Sequence, residues 1–322
     1  MREAAFIKRN QERWKSIEET LSARKTAHPD LLAGIFIELT DDLSFARTQY
    51  PKSRVTTYLN TLASRIHVEI YRNKKEEKNR FITFWKYELP MVIYESRRQL
   101  FYALIIFLIA SLMGSVSAFH DDTFVRLILG DGYVNMTLEN IERGNPMAVY
   151  AQMEQTDMFF AITFNNIKVS FYAFVAGLVV SLGTGFILFQ NGIMLGAFLT
   201  FFLKKDLLAH SLMIVMLHGT IELSSIVIAG GAGFVMGNSI LFPGTYSRIA
   251  SFKRGAVRGV KIVVGLVPLF IVAGFIESFI TRYTFMPWFF KAVIIGLSAW
   301  LIVYYFVIYP RKLVQHANRN TH

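Results

Sequence analysis

The residues in this sequence best suited to chemistry are a histidine and a glutamate inside an apolar stretch. His218 and Glu222 lie within residues 210–237, which are apolar enough to cross a bilayer. Their spacing of four places both side chains on one face of a helix, about one turn apart. An ionised carboxylate in hydrocarbon costs roughly 2.5 kcal/mol or more, so this face must turn toward protein, water or a partner.

An imidazole and a carboxylate one turn apart could provide two ligands for a zinc ion. A catalytic zinc site needs a third protein ligand, for which Glu277 is the better candidate and His210 the weaker one. The His-Glu-x-x-His pattern of zinc proteases is absent. His218, Glu222 and Glu277 are therefore only weak metal candidates, and we expect neither catalytic residues nor a cofactor.

The same ionisable groups fit two other roles. Of the 23 acidic residues, only Glu222 and Glu277 lie well inside apolar segments. Together with His218, and with Asn165 and Asn166 at the head of a second apolar run, they form a candidate intramembrane polar cluster. This cluster could hold helices together through hydrogen bonds, which we favour, or provide a path for protons or ions.

Small residues continue the face that begins with His218 and Glu222. Small residues at four-residue spacing let a second helix backbone approach closely. The predicted packing glycines are Gly230, Gly231, Gly233, Gly237, Gly192 and Gly196. We favour contacts inside the chain, although the same pattern also fits a homodimer.

The composition is that of a membrane protein. Of the 322 residues, 53% are hydrophobic, and they come in long blocks. The absence of cysteine excludes disulfides and thiolate metal sites. The first apolar block begins near Leu100, after a long charged region, which favours a signal-anchor span over a cleavable signal peptide.

These blocks predict an all-α polytopic membrane helix bundle of about six spans with an N-terminal helical cytoplasmic domain. Residues 1–99 are expected to form that domain. The transmembrane bundle is expected over 100–310, with an external loop at 120–157 and a cytoplasmic tail at 311–322.

Finer expectations concern single segments. Within the N-terminal domain, 81–98 is predicted to be an interfacial helix, and the charged run 72–80 a solvated face or hinge. The second span is expected at 159–190, ending in a turn at Asn191-Gly192 and leaving a short third span at 192–203. The external loop should contain short helices near 123–129 and 146–155.

Charge is distributed unevenly along the chain. Residues 243–261 carry five basic residues and no acid, whereas 120–157 carry two basic residues and seven acids. Because basic segments stay in the cytoplasm, both termini are expected inside and the acidic loop outside. The charge lies between apolar runs, so the expected partner is the lipid bilayer and not nucleic acid.

Several motifs occur in a fixed order over about 100–310. They are HGTIEL at 218–223, IAGGAG at 228–233, the Asn165-Asn166 pair, Asn191-Gly192 with Gly196, and Glu277-x-Phe279-Ile280-Thr281. In these motifs the sequence resembles the stage II sporulation protein M family of membrane proteins. Arg282 departs from the pattern, since family members often have proline there.

The resemblance implies an all-helical integral membrane protein of the bacterial cytoplasmic membrane, without established catalytic activity. The family's namesake anchors a complex with cell-wall-degrading partners during endospore engulfment, and many relatives occur in bacteria that do not sporulate. We therefore expect a non-catalytic scaffold that recruits membrane or envelope proteins, in cell-envelope or peptidoglycan remodelling. The alternatives are a small transporter or channel that uses the polar cluster, and an intramembrane metal-dependent hydrolase.

Overall fold

Helices make up the regular structure of the chain. The structure, a computed structural model, describes residues 3–22, 29–72, 80–151, 154–283 and 286–319. Within these ranges it has twelve helices and no strand, and six helices are long and apolar enough to cross a membrane. The predicted all-α bundle of six spans is therefore confirmed. The chain divides into two compact units, Met1–Arg80 and Phe81–His322.

The first unit contains three helices, α1 (Glu3–Ser22), α2 (Pro29–Gln49) and α3 (Arg54–Arg72). Apolar residues recur every three or four positions along them, so each helix turns one apolar stripe inward. The stripes meet in a core of their own: Phe6, Trp14, Ile17, Leu39, Leu43, Ala46, Val55, Leu59, Leu62, Ala63 and Ile66. Trp14 Nε1 donates to Asp42 Oδ2 over 2.8 Å, so the indole N–H of this buried side chain has a hydrogen-bond acceptor. Most of the predicted charged run, 73–79, lies outside the described residues.

The second unit contains the remaining nine described helices, six of them the candidate spans. In chain order they are α4 (residues 80–95), α5 (Arg97–His120), α6 (Asp122–Leu129), α7 (Asp131–Glu142), α8 (Gln155–Leu178), α9 (Leu182–Leu203), α10 (Leu208–Leu241), α11 (Arg248–Thr281) and α12 (residues 288–319).

Helix α10 lies at the centre of this bundle. It contacts the five other candidate spans, and it is the most buried of the six. Its small residues permit this, because a Cβ on Gly233 would lie 2.6 Å from the Ala173 carbonyl of α8. All six predicted packing glycines meet another segment of the same chain.

The turn between the second and third spans is not where the sequence indicated. The chain turns at residues 179–181, where Val180 and Ser181 take positive φ, and not at Asn191-Gly192. Both of those residues lie inside α9, so the predicted short span 192–203 is the second half of a 22-residue helix. Asn191 Nδ2 donates to Ile187 O over 2.8 Å within the helix. Gly192 lets the backbone of α5 approach, since a Cβ added at this position would lie 2.6 Å from Phe107 O.

The connection between the first two spans is largely helical. The helix expected near 123–129 is present as α6, begun by Asp121, whose side chain accepts from Thr123 N over 2.8 Å. The Thr123 hydroxyl donates to the same carboxylate, and these two hydrogen bonds lower the pKa of Asp121. The second helix is α7 and not 146–155, where Ala148–Ala151 form a 3₁₀ turn and Gln155 begins α8.

The boundary between the two units lies nearer Arg80 than the predicted residue 99. Helix α4 packs within the second unit, because Leu89 and Ile93 are buried in the core of the bundle, and its predicted place at the membrane interface stays a prediction. Tyr305 of α12 donates its hydroxyl to Trp85 O over 2.7 Å, and Lys261 Nζ of α11 pairs with Glu88 over 2.6 Å. The predicted tail begins inside α12, which continues to residue 319.

Candidate functional site

Three ionisable side chains meet between α10 and α11. His218 and Glu222 come from α10, and Glu277 comes from the last turn of α11. One ligand atom from each residue lies within 4.8 Å of the others. His218 Nε2 is 3.8 Å from Glu277 Oε1, and these two side chains are only 6% and 13% exposed. The structure thus brings together, in a buried position, an imidazole and two carboxylates from distant parts of the sequence.

The end of α11 that carries Glu277 is a π-helical segment, Ile276–Thr281. Single turns of this kind occur often at functional sites, because the wider turn redirects side chains. Here Glu277 and Thr281 both reach His218, since Thr281 Oγ1 is 3.2 Å from His218 Nδ1. The 3₁₀ turn Ala148–Ala151 contacts this segment. Sequence reasoning gave Thr281 no role in the cluster, although it stands four residues after Glu277 in the last motif.

The hydrogen bonds of Thr281 fix the orientation of the imidazole. Its hydroxyl donates to Ile276 O over 3.2 Å, so its oxygen is left to accept from His218. The proton of the neutral imidazole then belongs on Nδ1, and the lone pair of Nε2 faces Glu277.

Helix α8 provides a third wall of polar side chains. Asn166 is buried beside Glu222, and their side chains are hydrogen-bond partners. Thr163 and Ser170, about one helical turn to either side, bury hydroxyl groups that have no hydrogen-bond partner among the described residues. Asn165 is exposed on the same helix and does not join the cluster, because adjacent helical residues point about 100° apart.

Neither carboxylate of this cluster forms an ion pair with a lysine or an arginine among the described residues. Glu277 lies against His218, which carries a positive charge only when it is protonated and not in the neutral form described above. The two carboxylates lie close enough to repel each other when both are ionised. Such a group of side chains can share protons, or it can hold a divalent cation.

The part of the chain that contains the cluster matches a known protein family. The family model for stage II sporulation protein M matches residues 103–282, more than half of the chain. The chain belongs to the stage II sporulation protein M family. The match covers every residue of the cluster, and it ends at Arg282, the position that departs from the family pattern.

The N-terminal unit has a match of its own. A family described as a domain of unknown function matches residues 4–72, which coincide with α1 to α3. No curated protein and no solved structure matches the chain. This member of the stage II sporulation protein M family therefore combines the membrane bundle with a separately recognised helical unit.

Proposed function

We propose that this protein is a non-catalytic membrane scaffold that recruits partner proteins, in cell-envelope or peptidoglycan remodelling. The observation that carries the proposal is the division into two units. The first unit has a hydrophobic core independent of the bundle, and a separate family model matches it. A separately packed domain joined to a membrane bundle is suited to holding a partner at the membrane.

The first unit also offers an apolar surface for such a partner. Ile37 of α2 and Val68 of α3 are 65% and 61% exposed, and exposed apolar side chains that lie together can mark a contact surface for another protein. Phe36 and His67, their neighbours in sequence, have ring centroids 5.9 Å apart, so these two positions lie on adjoining parts of α2 and α3.

We place the protein in the bacterial cytoplasmic membrane with both termini inside. An even number of spans puts the two ends of the bundle's chain on the same side. The predicted basic loop 243–261 is mostly helical, since only 243–247 precede α11 and all five basic residues lie in the first half of that helix. They mark the end of the fifth span that follows the fourth, which agrees with the tendency of basic segments to remain in the cytoplasm.

Affinity purification from membranes tests the scaffold role. Full-length protein, a variant lacking 1–80, and the double variant Ile37→Glu/Val68→Glu are purified under identical mild conditions. Thr57→Glu, another exposed position on α3, serves as the matched control. We expect the same envelope proteins to co-purify with the full-length protein and the control, and to be lost from the other two. Equal recovery with all four would contradict a recruiting role for this unit.

A small transporter or channel is the second candidate, supported by the three ionisable side chains that meet inside the spans. Ion flux into vesicles distinguishes it, because Glu277→Gln would abolish flux by a transporter that remains folded. A scaffold would show no flux in either form. A hydrolase would in addition need a metal ion with an open position for water at the same residues.

A further inference from the structure

We propose that His218, Glu222 and Glu277 form a binding site for one divalent transition-metal ion of the zinc type, between α10 and α11. The site is independent of the scaffold proposal, since it concerns the second unit alone and requires no catalytic activity.

The donor atoms fit such an ion in number and in kind. One imidazole nitrogen and two carboxylate oxygens already lie within 4.8 Å of one another. Ligand bonds to zinc are about 2.0–2.2 Å long, so modest side-chain rotations bring all three atoms onto one centre. The imidazole favours a transition metal over magnesium or calcium, which prefer oxygen ligands alone.

The histidine is held in the form that binds metal. Its Nδ1–H is directed to Thr281, whose own proton goes to Ile276 O, so Nε2 presents its lone pair to the cluster. Metal-binding histidines in proteins commonly donate a hydrogen bond from the N–H of their other ring nitrogen to a neighbouring oxygen. Thr281 is thus a positioning residue for the proposed site.

The charge of the cluster matches that of the ion. When both are ionised, Glu222 and Glu277 carry two negative charges into a buried position, and neither has a lysine or arginine partner among the described residues. A divalent cation neutralises both, which removes the main energetic cost of keeping them inside the bundle.

Asn166 supports the carboxylate side of the proposed site. It is only 6% exposed, and its side chain hydrogen-bonds to Glu222. Ligating carboxylates in metal sites are commonly held by such hydrogen bonds from neighbouring side chains. Asn166 is therefore a second positioning residue for the proposed site.

Metal analysis of the full chain tests the proposal. The protein is purified in detergent with a tag that contains no histidine, stripped with a chelator, incubated with Zn²⁺ and freed of excess metal. We expect about one zinc per chain by mass spectrometry of the metal, and on Co²⁺ substitution the visible absorption typical of a low-symmetry site. Less than a tenth of an equivalent in monodisperse wild-type protein would overturn the proposal.

Variants then locate the ion. His218→Ala and Glu277→Gln should each lower the affinity more than tenfold, whereas His210→Gln, on the same helix, and Glu95→Gln, outside the cluster, should leave it unchanged. Thr281→Val keeps all three ligands and should weaken binding about 10–100-fold, with an altered Co²⁺ spectrum. Because this variant alters no ligand, it keeps the proposal testable even where a ligand variant fails to fold. Zinc binding that is equal in wild type, His218→Ala and Thr281→Val would place the metal elsewhere and overturn the assignment.

Discussion

Replacing Gly192 by alanine should destabilise the bundle, because α5 occupies the space that the new methyl group needs. A Cβ at position 192 would lie 2.6 Å from Phe107 O and 2.7 Å from Ala110 Cβ. The first is a backbone atom and the second is fixed to the backbone, so neither can turn aside. The two helices would have to move apart by close to 1 Å to restore ordinary contact.

Gly185 offers a control on the same helix. It stands seven residues earlier in α9, and a Cβ there would meet nothing within 4 Å. Both substitutions gain the same helix propensity, about 1 kcal/mol, so this gain cancels between the two variants. The difference between them is then the cost of overpacking, about 1–3 kcal/mol.

Thermal unfolding of the two variants in the same detergent measures this difference. For a unit of this size, roughly 2–4 °C accompanies each kcal/mol, so Gly192→Ala should melt about 2–12 °C below Gly185→Ala. A melting temperature of Gly192→Ala equal to or above that of Gly185→Ala would show that α5 and α9 do not pack as closely as described.

Three further predictions concern the cluster, the topology and the first unit. Glu222→Gln should retain more thermal stability than Glu222→Leu, because the amide keeps hydrogen-bonding capacity beside Asn166; equal melting temperatures would count against a buried polar environment. In this cysteine-free chain, an impermeant thiol reagent added to cells should label Asn135→Cys and not Ala250→Cys, and the reverse pattern would refute the proposed orientation. The isolated segment 1–80 should give a helical circular dichroism spectrum, since α1 to α3 share a core of their own, and a random-coil spectrum would contradict an independent unit.

The sequence was sufficient for the number of spans because five of the predicted spans are long apolar runs and the sixth, predicted as the short segment 192–203, is half of such a run. The turn at 179–181 escaped prediction because Asn191-Gly192 carries the stronger turn signal. In the folded protein Asn191 bonds within its own helix and Gly192 accommodates α5, and both roles depend on a partner that sequence periodicity does not reveal.

The candidate site could be anticipated only in part for the same reason. A spacing of four places His218 and Glu222 on one face, and the energetic cost of a buried charge points to Glu277 as a companion. The π-helical turn that aims Glu277 and Thr281 at His218 has no recognisable sequence signal. The choice of Asn166 over Asn165 depends on the rotation of α8 against α10, which adjacent asparagines cannot specify.

The contact between His218 and Glu277 is the centre of this account, and a double-mutant cycle tests it most directly. Wild type, His218→Ala, Glu277→Gln and the double variant are compared by thermal or denaturant unfolding under one set of conditions. Residues in contact should show a coupling of about 0.5–3 kcal/mol, so the double variant should lose less stability than the two single losses combined. Losses that add to within about 0.5 kcal/mol would show that the two side chains act independently, and they would contradict the cluster.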